Sequence, residues 1–155
     1  MKKFFFDCGP RDTNTSLGLF VLRVGTGLLM FFGHGLGKLQ GFAEQSKRFH
    51  VPDFYPLKWM SSPVSLAATI GAEVVCSALM ILGLATRPAA MILAFTMTVA
   101  AFNVHASGPW FMAEGAGSKE PALLFLIPCV AILLTGAGNM SIDAKLLETG
   151  RRRNW

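Results

Sequence analysis

Charge is scarce in this chain. Only 15% of its 155 residues are Asp, Glu, Lys or Arg, against about 25% in a soluble domain. Cysteine is scarce too: Cys8, Cys76 and Cys129 are odd in number and no pair has C-x-x-C spacing. That excludes a disulfide framework and a dithiol redox centre; Cys76 and Cys129 stand in apolar runs, where cysteine acts as a small hydrophobe. No segment sustains period-2 alternation, which argues against strands, and an open sheet could not satisfy its edges in lipid. There is no cofactor-binding loop and no nucleophile–base constellation. The opening Met1-Lys2-Lys3-Phe4-Phe5-Phe6 starts like a signal peptide, but Asp7 ends the apolar stretch after three residues. A cleavable signal needs about 7–15 apolar residues, so no cleavage is expected and the first membrane helix is expected to serve as its own signal.

What the chain has is apolar surface, in blocks. Apolar residues make up 52% of it and its mean hydropathy is +0.48. A bilayer core about 30 Å thick takes about 17–25 helical residues to cross. Four runs meet that length: about 17–39, with Ser16 placed to cap it; 63–84, with Pro63 in the first turn; 87–105, behind Thr86; and about 119–137, with Pro128 inside it, where a kink is expected. The expected fold is an all-α membrane protein, a four-transmembrane-helix bundle, and the length allows one domain. The segment Ala106–Ser118 carries Gly108-Pro109 and Glu114, so it reads as an exposed loop and not the tip of a re-entrant hairpin.

The net charge is +5. In a soluble protein this would raise nucleic acid as a partner, but no binding motif interleaves with the basic residues, and none is expected. The charges instead fix topology and meet anionic headgroups. Eight lie with the two ends and the 84–87 turn (Lys2, Lys3, Arg11, Arg87, Lys145, Arg151, Arg152, Arg153); five lie on the other side (Lys38, Lys47, Arg48, Lys58, Lys119). Eight against five favours both termini on the cytoplasmic side, and the expected location is the cell (inner) membrane. The aromatics Phe42, Phe49, Phe54, Tyr55 and Trp59, and then Trp110 and Phe111, are expected at the outer interface.

Ionisable groups inside a membrane are costly and point to function. Helix 1 carries Arg23, His34 and Lys38; helix 2 carries Glu73; helix 3 ends in Asn103 and His105; helix 4 opens on Glu120. His34 lies about 20° round the helix from Arg23, with Lys38 one turn beyond. One polar stripe should therefore face the interior. Arg23 is expected to pair with Glu73, its long side chain covering the roughly 7 Å difference in depth. His34, Asn103, His105 and Glu120 share a depth of roughly 24–27 Å from the inner end. This level reads either as helix-end residues wetted at the headgroups or as an outward-opening polar pocket for a quinone head, a proton path or a small solute. Two histidines could in principle ligate haem or copper, but nothing in their spacing favours it, and no metal is expected. Gly33-x-x-x-Gly37 on helix 1, with Ala67, Gly71 and Ala68, Ala72 on helix 2, suggests close packing of these two helices.

Leu22-Arg23, Gly33-His34-Gly35-Leu36-Gly37-Lys38-Leu39 with Phe42-Ala43-Glu44, Leu82-Gly83-Leu84-Ala85-Thr86-Arg87, and Gly136-Ala137-Gly138-Asn139-Met140-Ser141-Ile142-Asp143 together resemble the signatures of the DoxX family of bacterial and archaeal four-helix membrane proteins. The resemblance covers about residues 17–146; Ala137 stands where that family often has proline. It implies the fold more firmly than an activity. Members include subunits associated with a quinol oxidase and with thiosulfate:quinone oxidoreduction, and membrane anchors in redox or oxidative-stress assemblies. The expected function is thus a membrane subunit of a quinone-linked redox or oxidative-stress complex, not self-sufficient in chemistry. It has no intrinsic cofactor beyond a candidate quinone, and its partners are the bilayer and other subunits or further copies of itself. A non-catalytic scaffold or assembly factor is the alternative. A small-solute transporter ranks last, because no broken helix pair or inverted repeat is visible.

Overall fold

The computed structural model describes residue 9, residues 12–112 and residues 117–152, with side chains through residue 149. Cys8, Glu114 and Arg153 lie outside the described residues, as do Lys2, Lys3 and Arg11. Every regular element among those described is helical. Helix α1 covers Thr13–Gln40, α2 Ser62–Leu82 and α3 Thr86–Val104. Each of these three is long and apolar enough to cross a membrane. A shorter apolar helix, α4, covers Glu120–Thr135; at about 1.5 Å per residue its 16 residues reach about 24 Å. Helix α1 packs on α2 and α4, and α3 packs on the same two, α3 and α4 most extensively. The bundle is therefore a ring in which α1 and α3 are diagonal.

The helix ends follow from local chemistry. Helix α1 starts four residues before the apolar run, because Asp12 and not Ser16 is the cap: its carboxylate accepts from Thr15 N at 2.8 Å. Hydrogen bonding from the Thr15 hydroxyl, and then from its backbone N–H, holds the Asp12 carboxyl below the ordinary aspartate range. Ser16 is buried, and its hydroxyl accepts from Asn139 N at 3.3 Å. This bond brings the start of α1 to the segment after α4, so both ends of the bundle lie on one side. Helix α4 stops at Thr135 before Gly136 and runs through Pro128.

The core is built where the four apolar stripes meet. Met30, Cys76, Met80, Leu93, Met97, Cys129 and Ile132 belong to one cluster. Outward-facing positions such as Val21, Leu29, Val75, Phe95 and Leu134 are exposed apolar surface, as lipid-facing residues should be. Helices α1 and α2 do approach closely, but through other glycines than those expected. A Cβ at Gly27 would lie 3.0 Å from Ser77 O, and one at Gly35 would lie 3.0 Å from Glu73 O. Gly33, Gly37 and Gly71 have open space around them. Gly27 and Gly35 are eight residues apart, and it is they that share the interior face with Met30.

At the end of the bundle where α1 starts, labelled the inner end and its opposite the outer, lies a fifth helix, α5, Ile142–Arg152, which the sequence did not suggest. Asp143 in its first turn accepts from Ala85 N at 2.8 Å and Thr86 N at 2.9 Å. It supplies from a distance the anionic cap that the start of α3 needs. Asp143 N in turn donates to Gly83 O at 2.8 Å. The α2–α3 turn has two left-handed residues, Gly83 at φ 71° and Ala85 at φ 47°. At Gly83 only glycine fits: a Cβ there would come within 2.7 Å of both an Arg23 guanidinium nitrogen and Ser141 Cβ.

Candidate functional site

The polar stripe on α1 faces inward as expected. Arg23, Thr26, Gly27 and Met30 are buried, and His34 and Lys38 are half-buried. Its members nevertheless divide between two ends of the bundle, and the Arg23–Glu73 pair is not formed. Arg23 donates to the carbonyls of Met80, Ile81 (2.8 Å) and Met140 (2.8 Å). Its guanidinium carbon lies 5.6 Å from the Phe20 ring centroid. Glu73 is held by Lys38 instead, whose Nζ lies 2.7 and 2.6 Å from the two carboxylate oxygens.

Side-chain direction explains the exchange. In a helix every Cα–Cβ bond tilts toward the N-terminus. The N-terminus of α1 is at the inner end, so Arg23 leans inward, away from Glu73, and Lys38 leans inward, toward it. Helix α2 runs the other way, so Glu73 leans outward to meet Lys38. Arg23 then finds carbonyls in the last turn of α2, where the helical ladder runs out; Met80 O also accepts from Gly83 N at 3.2 Å. Arg23, Gly83, Ser141 and Asp143 come from three separate sequence signatures, and together they form one knot at the inner end. Its chemistry is that of helix capping and turn closure.

The outer level is distinguished by its backbone. Helices α1, α2 and α3 each widen there into a π-helical stretch: Phe31–Gly35, Gly71–Cys76 and Ala100–Val104. Each stretch carries one of the polar residues read from the sequence, namely His34, Glu73 and Asn103. Single π turns are rare and frequent at functional sites.

These polar groups have different partners. Asn103 accepts from His50 Nε2 at 2.8 Å and from Asp53 N at 3.4 Å, and so ties the long loop after α1 to the end of α3; His50 was not singled out in the sequence. His105 packs under the next loop, with its Nδ1 3.1 Å from where a Gly117 Cβ would stand. Glu120 accepts from Met112 N at 2.7 Å. Beside it, buried Lys119 donates to Ala106 O and Gly108 O at 2.8 and 2.9 Å and lies 5.1 Å from the Trp110 ring centroid. Asn103, His105 and Glu120 therefore all engage the outer loops. Trp59, Trp110 and Phe111 are exposed there.

What remains at the π-helical level is His34, Lys38 and Glu73. The His34 ring meets Phe125 of α4 edge-on, with centroids 5.1 Å apart. The residue after it, Gly35, touches the Glu73 backbone. Four residues inward along α2, the Ser77 hydroxyl is fully buried and has no hydrogen-bond partner. Lys38 keeps 23% of its side-chain surface and Glu73 only 4%, so the pair is reached from the Lys38 side. A separate surface hollow of about 220 Å³ is lined by Glu44, Gln45, Arg48 and Phe49; ligand pockets run to about 300–1,000 Å³, and this one is open and shallow. No group of three or more His, Cys, Asp or Glu is placed to hold a metal ion among the described residues.

Comparison with known proteins agrees with this architecture. A protein of Haemophilus influenzae described as an "Uncharacterized protein" is 26% identical over 152 residues, covering 96% of each chain. The Bacillus subtilis protein named "Putative oxidoreductase CatD" is 30% identical over 139 residues, covering 89% of this chain and 93% of its own. No solved structure matches. The DoxX profile matches residues 18–106, from the polar stripe of α1 through the end of α3, and the chain belongs to the DoxX family.

Proposed function

We propose that this protein is an integral membrane subunit of a quinone-linked redox or oxidative-stress complex, with His34, Lys38 and Glu73 forming a polar site for a quinone head. The observation that carries the reading is the half-open Lys38–Glu73 pair at two facing π-helical stretches, one holding His34 and the other Glu73. The family's ties to quinone-linked assemblies and the oxidoreductase name of the Bacillus subtilis relative point the same way.

The residues present suit such a ligand. A quinone head presents two carbonyl acceptors on a flat apolar ring. Lys38 and His34 are donors for those carbonyls, the orphaned Ser77 hydroxyl is a third, and Phe125 offers an aromatic edge. Glu73, bonded to Lys38 through both oxygens, can give up part of that bonding and accept a proton. The quinone supplies two-electron, two-proton chemistry when bound; the chain's own residues orient it, keep water away and hold a proton at Glu73. On this reading the electrons come from or go to another subunit. Two further features belong to the proposal: a single membrane domain, and an inner-membrane location with both termini cytoplasmic, supported by the eight-to-five split of Lys and Arg and read directly by a C-terminal reporter fusion.

A second reading, a non-catalytic scaffold, is favoured by one observation: both Glu73 oxygens are bonded to Lys38. Melting in detergent separates the two. A short-chain quinone analogue should raise the melting temperature of the wild type by mass action. His34→Leu should fold, because it removes a polar group and strands none, and it should lose most of the shift. The same shift in both proteins would take His34 out of the site. Its absence from the wild type would leave the scaffold reading.

A further inference from the structure

Helix α5 follows the inner end of the bundle, and only its start is packed. Ser141 and Ala144 are buried and Asp143 caps α3. From Lys145 through Thr149 every residue is exposed, Leu146 and Leu147 included. At about 100° per residue, Leu146 and Leu147 flank one side of this helix, with Gly150 between them. Lys145 and Glu148 lie on the other side. Asp143 is used as a cap, so the sequence leaves Lys145, Arg151, Arg152 and Arg153 against Glu148 as the other charges from Lys145 to Arg153. The segment is thus a helix with an uncovered apolar side and an excess of three positive charges. It is held by its first turn to the point where the bundle leaves the membrane.

We propose that α5 is an in-plane surface anchor whose partner is anionic lipid. Its leucines enter the headgroup–acyl boundary of the leaflet on the side of the termini, and Lys145 with the arginines after it binds acidic headgroups. The location carries the choice of occupant. Ser16 is bonded to Asn139, and Asp143 to Ala85 N and Thr86 N at the start of α3, so the start of α5 is fixed at the ends of the membrane-spanning helices. A helix with a strong polar–apolar division and basic flanks, held there, has the composition of an interfacial helix. Charge complementarity does the rest, since a basic residue near an anionic surface gains about 1 kcal/mol. Lipid binding at α5 would also bear on the bundle itself, because the carboxylate that caps α3 belongs to the same helix.

The test is spin-label accessibility on the full chain in vesicles. Single cysteines are placed at Lys145, Leu146, Leu147 and Glu148 in a Cys8→Ser background; Cys76 and Cys129 are buried and free. In vesicles of phosphatidylcholine with phosphatidylglycerol, labels at 146 and 147 should meet oxygen and be shielded from an aqueous nickel chelate. Labels at 145 and 148 should show the reverse. In pure phosphatidylcholine the shielded population should fall. Arg151→Gln and Arg152→Gln should each lower the ratio of shielded to open label about fivefold. Four labels equally open to the nickel chelate would overturn the proposal. So would shielding indifferent to lipid charge and to salt, which would mean that protein covers the helix.

Discussion

Lys38→Met should cost the bundle about 3–5 kcal/mol, the scale on which one member of a buried ion pair is removed and the other left behind. The stranded group would be Glu73, with 4% of its side chain exposed. Glu73→Leu should cost less. It strands Lys38, whose side chain is 23% exposed and long enough to carry its ammonium to the headgroups. The double variant should recover most of the loss, because two apolar residues of similar volume replace a pair whose desolvation offsets much of its attraction. The measurement is a double-mutant cycle on melting in detergent, with monodisperse folded protein as the second readout. Strictly additive losses would mean that the pair is not coupled.

Arg23→Ala should be as damaging, for a different reason. Arg23 is 1% exposed and donates to three carbonyls from two segments: Met80 and Ile81 at the end of α2, and Met140 ahead of α5. A hydrogen bond from a charged donor is worth about 1.5–3 kcal/mol; Met80 O keeps its bond from Gly83 N, while Ile81 O and Met140 O lose the guanidinium donor. Allowing for non-additivity, a loss of about 3–5 kcal/mol is expected. Arg23→Lys should restore only part of it, since an ammonium cannot reproduce the guanidinium fork. The knot at the inner end lies about 10 Å along α2 from Glu73 at the standard rise. In whatever Arg23→Lys protein folds, the quinone-induced melting shift should therefore persist. Loss of that shift together with unchanged stability would move Arg23 from the frame to the site.

The positions of the four apolar helices were legible in the sequence because lipid demands continuous apolar runs, and such runs are visible in one chain. Their ends were less so. Ser16 is the last polar residue before the apolar run of α1, but a helix can extend a polar turn into the headgroups, and Asp12 caps it there. Helix α5 went unseen because its apolar side rests on Ile142, Leu146 and Leu147 within eleven residues that also hold Gly150 and four charged groups after Asp143. Four residues of the inner knot, Arg23, Gly83, Ser141 and Asp143, stood within recognisable signatures. That they meet is a property of the fold, since Asp143 is 57 residues from Thr86.

The site was read in part. The polar stripe on α1 and the depth of Glu73 followed from helical arithmetic, but the choice of partner did not. Depth alone made Arg23 a candidate for Glu73; the opposite tilts of side chains on antiparallel helices gave Glu73 to Lys38. The glycines show the same limit. Spacing picked Gly33 and Gly37, while contact uses Gly27 and Gly35, because π-helical turns shift the register of the inward face between Phe31 and Gly35. No residue pattern announced those turns. Asn103, His105 and Glu120 were grouped with the site by depth, which does not distinguish a side chain turned inward from one that pins an outer loop.

The most direct test of a quinone-linked subunit is purification from native membrane in mild detergent, followed by solvent extraction and identification of what accompanies the chain. A quinone in roughly stoichiometric amount is expected together with at least one redox-active subunit, the quinone being lost from His34→Leu. A preparation that carries neither a quinone nor a redox-active partner would rule out the quinone-linked subunit.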